Sequence, residues 1–415
     1  MLIKAKSGVD AGSIGEHFQR RVAQNSARAD QILKSQHTLN PKGFCMSRND
    51  QVLIIGGGLA GLSAAIHLAQ AGVEVVVYEK ESYPRHKVCG EYISNEVLPY
   101  WAKLGIDPFT WGATRIERCA LSSISGRLVQ APLPLGGFGI SRYHLDDQLQ
   151  QCASQHGVKF VQAEVSTIEY QDDRFRIKTR KGEEAEAAIV IGAYGKRSRL
   201  DKEQQRSFIQ ERAPYLAVKR HFTGEFPEDL VALHNFSGGY CGVSKVEEGR
   251  INVCYLTDYK AFKSYRNIEQ FENAVVARNP HLAACFRDFT PLFDAPITIS
   301  QISFAGKERV HQHVLMCGDS AGMIHPLCGN GMGMAISSAQ LLSDLIMQYL
   351  NGDLPNRVAL ENAYTEAWQR QFRRRLQAGR LFSRLFARNQ LFDRSVSLLT
   401  HIPAALPFFI RQTHG

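Results

Sequence analysis

The stretch 51-QVLIIGGGLAG-61 constrains the fold more than any other part of the chain. Val52, Leu53, Ile54 and Ile55 form an unbroken apolar run, the pattern of a strand buried on both faces of a parallel sheet. Gly56, Gly58 and Gly61 then satisfy GxGxxG, and a helix is predicted from Leu59 to about Ala71, stopped by Gly72. A second strand, 73-VEVVVYEK-80, completes a βαβ unit. The spacing predicts an α/β fold built on a doubly wound, Rossmann-like sheet. In such a turn the first glycine permits the bend, the second lets backbone approach a pyrophosphate, and the third lets helix and strand close up. Leu59 and Ala60 open a helix whose free N–H groups and partial positive charge suit phosphate. Glu79, with Lys80 beside it, ends the second strand where a carboxylate can accept hydrogen bonds from ribose hydroxyls.

A second glycine cluster lies about 260 residues further on. In 315-LMCGDSAGMIHP-326 a short strand ends at Gly318 and Asp319, placing a carboxylate where it can bond a ribityl or ribose hydroxyl. The next stretch, 329-GNGMGMAISSAQLLSDLI-346, starts a helix whose first turn is nearly bare of side chains at Gly329, Asn330, Gly331 and Met332. Bare N–H groups there can face the pyrimidine edge of a flavin, and the helix dipole favours an anionic reduced ring. One glycine loop for a pyrophosphate and another for the ring suit FAD better than NAD.

The remaining sequence bounds the rest of the molecule. From Leu216 to Leu256 the pattern alternates, as in 251-INVCYL-256, predicting an antiparallel lobe. The expected division is a basic extension over 1–48, an FAD-binding part over 49–205 and 296–350, a substrate lobe over 206–295 and a helical tail over 351–415. Met46 is an alternative start. No long apolar run suggests a membrane span, and no secretory leader is recognisable. The nine cysteines form no CxxC pair, so neither a disulfide framework nor a structural metal site is expected, and the setting reads as cytoplasmic.

The net charge of +9 is concentrated at the two ends. Residues 355–415 hold ten arginines against three acids. In 376-LQAGRLFSRLFARNQLF-392, Arg380, Arg384 and Arg388 recur every four residues, with Leu381, Phe382, Leu385 and Phe386 on the other side. Such a helix packs on the core or lies at a membrane interface. No aromatic-basic nucleic-acid motif accompanies the charge, so a nucleic-acid partner is not expected.

Over roughly residues 50 to 350 the chain resembles the FAD-dependent oxidoreductases that include p-hydroxybenzoate hydroxylase-like monooxygenases and geranylgeranyl reductases. The motifs carrying the resemblance are GxGxxG with Glu79, Gly318-Asp319 with Pro326 and the glycine helix start, and 140-ISRYHLDDQL-149. The resemblance implies that Arg142 contacts the FAD phosphate or ribityl region and that backbone near Val165 contacts adenine. It also places 84-PRHKVCGEYIS-94 on the loop facing the flavin, where Cys89 lines the site and Glu91 positions or protonates substrate. A carboxyl with its pKa raised by an apolar pocket would serve as that acid. The alternatives are a small buried thiol for Cys89 and a helix N-terminal acid for Glu91. Tyr240, in 238-GGYCGVSKVEEGRINVCYL-256, is similar in place to a tyrosine over the substrate, although the Trp and Phe-Pro expected of that strand pair are missing.

Two departures narrow the resemblance. In 192-GAYGKRS-198, Tyr194 stands where NADPH-using hydroxylases carry Asp, which disfavours NADPH and leaves the electron donor open. Lys196 and Arg197 are candidates for meeting an acidic donor. Gly-Asp-Ser-Ala-Gly is closer to the reductase branch than to the hydroxylase Gly-Asp-Ala-Ala-His, and no Trp-x-Trp-x-x-Pro halogenase motif is present. The expectation is therefore reduction or dehydrogenation of a hydrophobic, lipid-like or polyketide-like small molecule. Hydroxylation of a phenolic substrate is the alternative, and a non-catalytic flavin-bound or nucleic-acid-binding protein the third class.

Overall fold

The apolar run Val52–Ile55 becomes β1, the central strand of a six-stranded sheet, buried along its whole length. The structure is a computed structural model that describes residues 51–211, 214–325, 327, 329–386, 388–401 and 405–411, without the side chains of 382–386, 408 and 409. The predicted 1–48 extension, the alternative start at Met46, and Pro326 lie outside the described residues.

β1 is flanked by β2 (Val75–Glu79) on one side and β10 (Ile189–Gly192) on the other, both parallel to it. The sheet continues through β6 (Lys159–Gln162) beyond β2 and β18 (Val314–Met316) beyond β10, again in parallel. The short β17 (Val310–His311) closes one edge antiparallel. Parallel strands need cover on both faces, which is why every residue of β1, β2, β10 and β18 is buried. Helix α1 (Leu59–Gln70) packs against α2 (Arg142–Gln155) and α3 (Gly331–Leu350). The predicted helices and strands of the nucleotide-binding part are therefore present, and the fold is the expected Rossmann-like α/β class.

A second, nine-stranded sheet is mostly antiparallel. Its centre is β11 (Tyr215–Thr223), β14 (Ile251–Asp258), β13 (Gly239–Lys245) and β12 (Leu230–Phe236), the alternating region predicted for the lobe. The sheet does not stop at the predicted boundaries. β4 (Thr114–Ser122) adds parallel to β12, followed by β5 (Leu128–Gly139) and β3 (Tyr92–Ser94). β15 (Thr290–Pro291) and β16 (Ile297–Ile302) both pair with β11. Residues 92–139 thus contribute to the antiparallel sheet, although the sequence division placed them wholly with the FAD-binding part. Pro132, Pro134, Gly136 and Gly137 interrupt the alternation of β5, so no strand signal was visible there. A small third sheet holds β7 (Val165–Gln171), β8 (Arg174–Thr179) and β9 (Glu184–Ala187).

The tail is helical, but its first half is core. α4 (Arg357–Phe386) buries Leu360, Tyr364, Trp368 and Phe372, one residue every fourth position, within the main hydrophobic core. The Tyr364 hydroxyl donates to the Met316 carbonyl at 2.6 Å, tying the helix to β18. The boundary at 350/351 therefore does not separate a detached tail. α5 (Asn389–His401) and α6 (Ala405–Arg411) then pack on β5. Among the described residues no helix is long and apolar enough to cross a membrane, and no cluster suits a metal ion.

Candidate active site

One cavity of about 1640 Å³ runs along the carboxyl ends of the parallel strands and on beneath the antiparallel sheet. That exceeds the roughly 300–1,000 Å³ of a single small-ligand pocket, leaving room for a large cofactor and a substrate together. Gly56, Gly58, Leu59 and Ala60 line it. Gly56 has φ +108°, and a Cβ there would fall 2.4 Å from the Ala193 carbonyl oxygen. A Cβ on Gly61 would fall 2.0 Å from the Gly56 carbonyl oxygen, so Gly61 stands behind the cavity and lets α1 close on β1. No side chain caps the start of α1, which leaves its first N–H groups for a ligand.

Opposite Gly58 are two cations. A Cβ on Gly58 would lie 3.6 Å from Lys87 Nζ and 3.7 Å from Arg142 Nη2. Both groups share the fully buried Asp146. Arg142 Nε donates to Asp146 Oδ1 at 2.7 Å and its Nη2 to Oδ2 at 2.8 Å, while Lys87 Nζ donates to Oδ2 at 2.8 Å. Burial would raise the Asp146 pKa, but the Arg142 and Lys87 charges hold it below the usual carboxylate value. Two cations against one carboxylate leave a net positive charge beside the helix N-terminus, the electrostatics a pyrophosphate requires. Lys87 was not foreseen from the sequence, since it becomes significant only when folded against Asp146.

Glu79 and Lys80 line the same cavity. Glu79 Oε2 accepts the Gly57 N–H at 2.9 Å and meets Arg85 at 2.7 Å; Oε1 accepts the Glu81 N–H at 3.1 Å. Burial favours protonation, yet Arg85, with the Lys87 charge and the Glu81 N–H, outweighs it and keeps the carboxyl below its ordinary pKa. Glu79 is thus an ionised acceptor that also fixes the glycine turn. Val165, at the start of β7, lines the cavity beside Gln162, Ala163 and Glu164, at the end expected for adenine.

The second glycine cluster closes on the first. A Cβ on Gly318 would fall 2.8 Å from the Ala60 Cβ, so the end of β18 rests on the first turn of α1. The Gly318 N–H donates to Ser338 Oγ of α3 at 2.9 Å. Asp319, Gly329, Gly331 and Met332 line the cavity, and the buried Asn330 sits behind them at the N-cap of α3 without a side-chain cap bond. Cys89 lines the cavity as well, its Sγ 3.4 Å from Met332 Sδ, so the loop over 84–94 does meet the start of α3.

Glu91 requires a correction. Its side chain does not line the cavity and is fully buried. Lys219 Nζ bonds its Oε1, the His221 ring Nε2 lies 2.6 Å from Oε2, and the Arg142 N–H donates to Oε1 at 2.7 Å. Burial would raise the pKa, but Lys219 and His221 bring it below the ordinary value, opposite in direction to the acid expected from the sequence. Glu91 is a buried carboxylate clamp, not a proton donor to substrate. Its φ of 55° is unusual for a residue with a Cβ and is held by these bonds. Asn252 adds to the clamp by donating to the carbonyls of Cys89 at 3.2 Å and Gly90 at 2.8 Å.

Tyr240, on β13, does line the cavity. It belongs to an apolar cluster with Ala217, Leu256, Ile302, Met323 and Leu327. Its ring centroid lies 6.1 Å from that of His325, whose pKa burial lowers to about 4, leaving it neutral. Cys254, also at the cavity, has its thiol pushed up to about 12 by burial, which makes it a poor nucleophile. Tyr194 lines the cavity beside the Gly56 turn, with its hydroxyl 3.0 Å from Gln204 Oε1.

This two-loop cavity fits an extended flavin dinucleotide, and similarity to known proteins agrees. Residues 49–370 match the family described as FAD binding domain. The chain belongs to that family. It is an FAD-dependent oxidoreductase, with FAD as its cofactor. The flavoprotein is 23% identical over 318 residues to the menaquinone reductase of Mycobacterium tuberculosis (strain ATCC 25618 / H37Rv), covering 71% of this chain and 76% of that one. It is 22% identical over 326 residues to the 6-hydroxynicotinate 3-monooxygenase of Bordetella bronchiseptica, covering 73% and 84%. Its fold is shared with a geranylgeranyl bacteriochlorophyll reductase-like protein of Thermoplasma acidophilum, at a TM-score of 0.69 and 18% identity over 84% of this chain and 91% of that one. Both branches of the resemblance are thus represented among its relatives.

Proposed function

We propose that this flavoprotein reduces or dehydrogenates a hydrophobic, lipid-like or polyketide-like small molecule, as the geranylgeranyl reductase branch does. The observation that carries the reading is the lining of the cavity under the antiparallel sheet. Leu121, Leu133, Leu233, Leu256, Ile299 and Ile302 face it there, and no lining residue from β4, β5, β11–β14, β16 or α6 is charged. A phenolate or carboxylate substrate would need a cation in that half, because an unpaired charge in an apolar site is costly. An apolar chain needs none and gains about 25 cal/mol per Å² on leaving water.

Bound FAD supplies hydride transfer at its N5. This chain's residues hold and orient it. Lys87 and Arg142 would take the pyrophosphate opposite Gly58, Glu79 the ribose hydroxyls, Asp319 the ribityl chain, and the uncapped start of α3 the pyrimidine edge. Cys89 and Tyr240 are the candidate groups beside the reacting carbon, and the walls around Tyr240 exclude water. Tyr194 in place of an acid supports a donor other than NADPH, and Lys196 and Arg197, which line the cavity, suit an acidic one.

The monooxygenase relative favours a second reading, hydroxylation of an aromatic substrate. Anaerobic reduction of the purified flavoprotein, followed by olefinic lipids, separates the two. Reoxidation of the flavin by an olefin without oxygen is expected. Oxygen-18 appearing in the product under air would overturn the reductase reading.

A further inference from the structure

Helix α5 is bound to the protein on one side only. Phe392 and Val396 are buried against Val129 and Ala131 of β5. Asp393, the sole acid between residues 367 and 415, is turned toward the sheet. There its Oδ1 accepts from the Ser123 hydroxyl at 2.6 Å and from Ser125, and its Oδ2 pairs with Arg127 at 2.9 Å. The outward face carries Leu391, Arg394 and Leu398, spaced three and four residues apart, with Arg388 just before the helix. Leu398 is 62% exposed and Leu381, near the end of α4, is 66% exposed, the highest values among the described leucines. Arg370, Arg373 and Arg374 are exposed on α4, and Arg411 on α6.

We propose that this face of α5, with Arg388 and Arg394, docks on an anionic lipid bilayer. The charge is complementary: Arg388 and Arg394 are exposed at α5, as are Arg370, Arg373 and Arg374 on α4, and the one acid of α5 is engaged on the protein side, whereas Arg357 and Arg375 are ion-paired with Asp173 and Glu96 and add nothing to that face. Leucines interleaved with arginines suit an interfacial helix, whose apolar side chains enter the acyl boundary while guanidinium groups stay at headgroup level. The placement also has a consequence for access. α6 follows α5 directly, and its Leu406 and Ile410 line the apolar half of the cavity while packing over β5. The same short helical module therefore faces the bilayer and lines the substrate cavity, which would let a lipid-like molecule pass between the two. That last step rests on the proposed function; the docking does not.

The test is co-sedimentation of the FAD-loaded full chain with vesicles of phosphatidylglycerol mixed into phosphatidylcholine, and with phosphatidylcholine alone. Binding to the anionic vesicles is expected, with loss in high salt. Arg388→Gln and Arg394→Gln should each weaken it about fivefold. Leu398→Glu should weaken it further while flavin absorbance and thermal unfolding stay as in the wild type. Equal binding to neutral vesicles, no binding, or insensitivity to all three substitutions would overturn the proposal. So would a concentration-dependent dimer abolished by Leu398→Glu, which would name a second copy of the chain as the occupant. Because no substrate enters the assay, its outcome is independent of whether the reductase reading stands.

Discussion

Replacing Glu91 by Gln tests the most consequential feature of the site. The carboxylate and Lys219 are both fully buried and in contact, with His221 at the second oxygen. Gln keeps the shape and one acceptor for the Arg142 N–H, but removes the charge and leaves the Lys219 ammonium in a site without its counter-ion. Breaking a buried pair from one side costs about 3–5 kcal/mol. The wild-type group has a lowered pKa, so its contribution is fully present above the unfolded-state value and is lost as pH falls through the lower folded-state value. At neutral pH the whole effect should therefore be visible. Urea unfolding of the FAD-loaded protein, followed by the fluorescence of the buried Trp101 and Trp368, reads it directly. A second readout is flavin retention, because the clamp also holds Arg142 and the Cys89 loop. A loss below about 1 kcal/mol would refute the argument, since that is what exchanging a neutral carboxylic acid for a neutral amide should cost.

Asp319→Ala should weaken FAD retention by about 1.5–3 kcal/mol, the worth of a hydrogen bond to a charged group, measured by flavin released on dilution; full retention would remove Asp319 from the site. Lys87→Met should lower FAD affinity about tenfold or more while leaving the Arg142–Asp146 pair intact, and unchanged binding would show that Lys87 serves only Asp146. Gly61→Ala should abolish FAD binding or folding, because its Cβ would meet the Gly56 carbonyl oxygen at 2.0 Å between two backbone segments that cannot both give way. Acid should destabilise the apoprotein below about pH 4, as Asp146 and Glu79 take up protons against their lowered pKa values, whereas Asp146→Asn should flatten that part of the unfolding profile.

What could be read without the structure depended on local pattern. Val52–Ile55 and the glycines after it specify their own turn, because strand burial, bend and helix start are all settled within about ten residues. The same holds for Gly318–Asp319 and the bare helix start at Gly331. Leu360, Tyr364, Trp368 and Phe372 are equally regular and mark the buried face of α4, whereas Arg370, Arg373 and Arg374 mark its exposed one. β5 was not legible because Pro132, Pro134, Gly136 and Gly137 break its alternation; β4 has neither residue, and only its pairing with β12 and β5 makes it part of the sheet.

The sequence by itself determined the two glycine loops that line one cavity, since each loop's geometry follows from residues that lack a side chain. Only the tertiary structure decided what the charged residues do. Glu91 meets Lys219 and His221 from more than a hundred residues away, and Lys87 meets Asp146 across fifty-nine. A carboxyl's pKa is fixed by what burial removes and what a neighbouring cation restores, and neither is written next to it in the chain. That is why a predicted acid became a clamped carboxylate, and why Lys87, unremarkable in the sequence, stands beside Arg142 on Asp146 opposite Gly58.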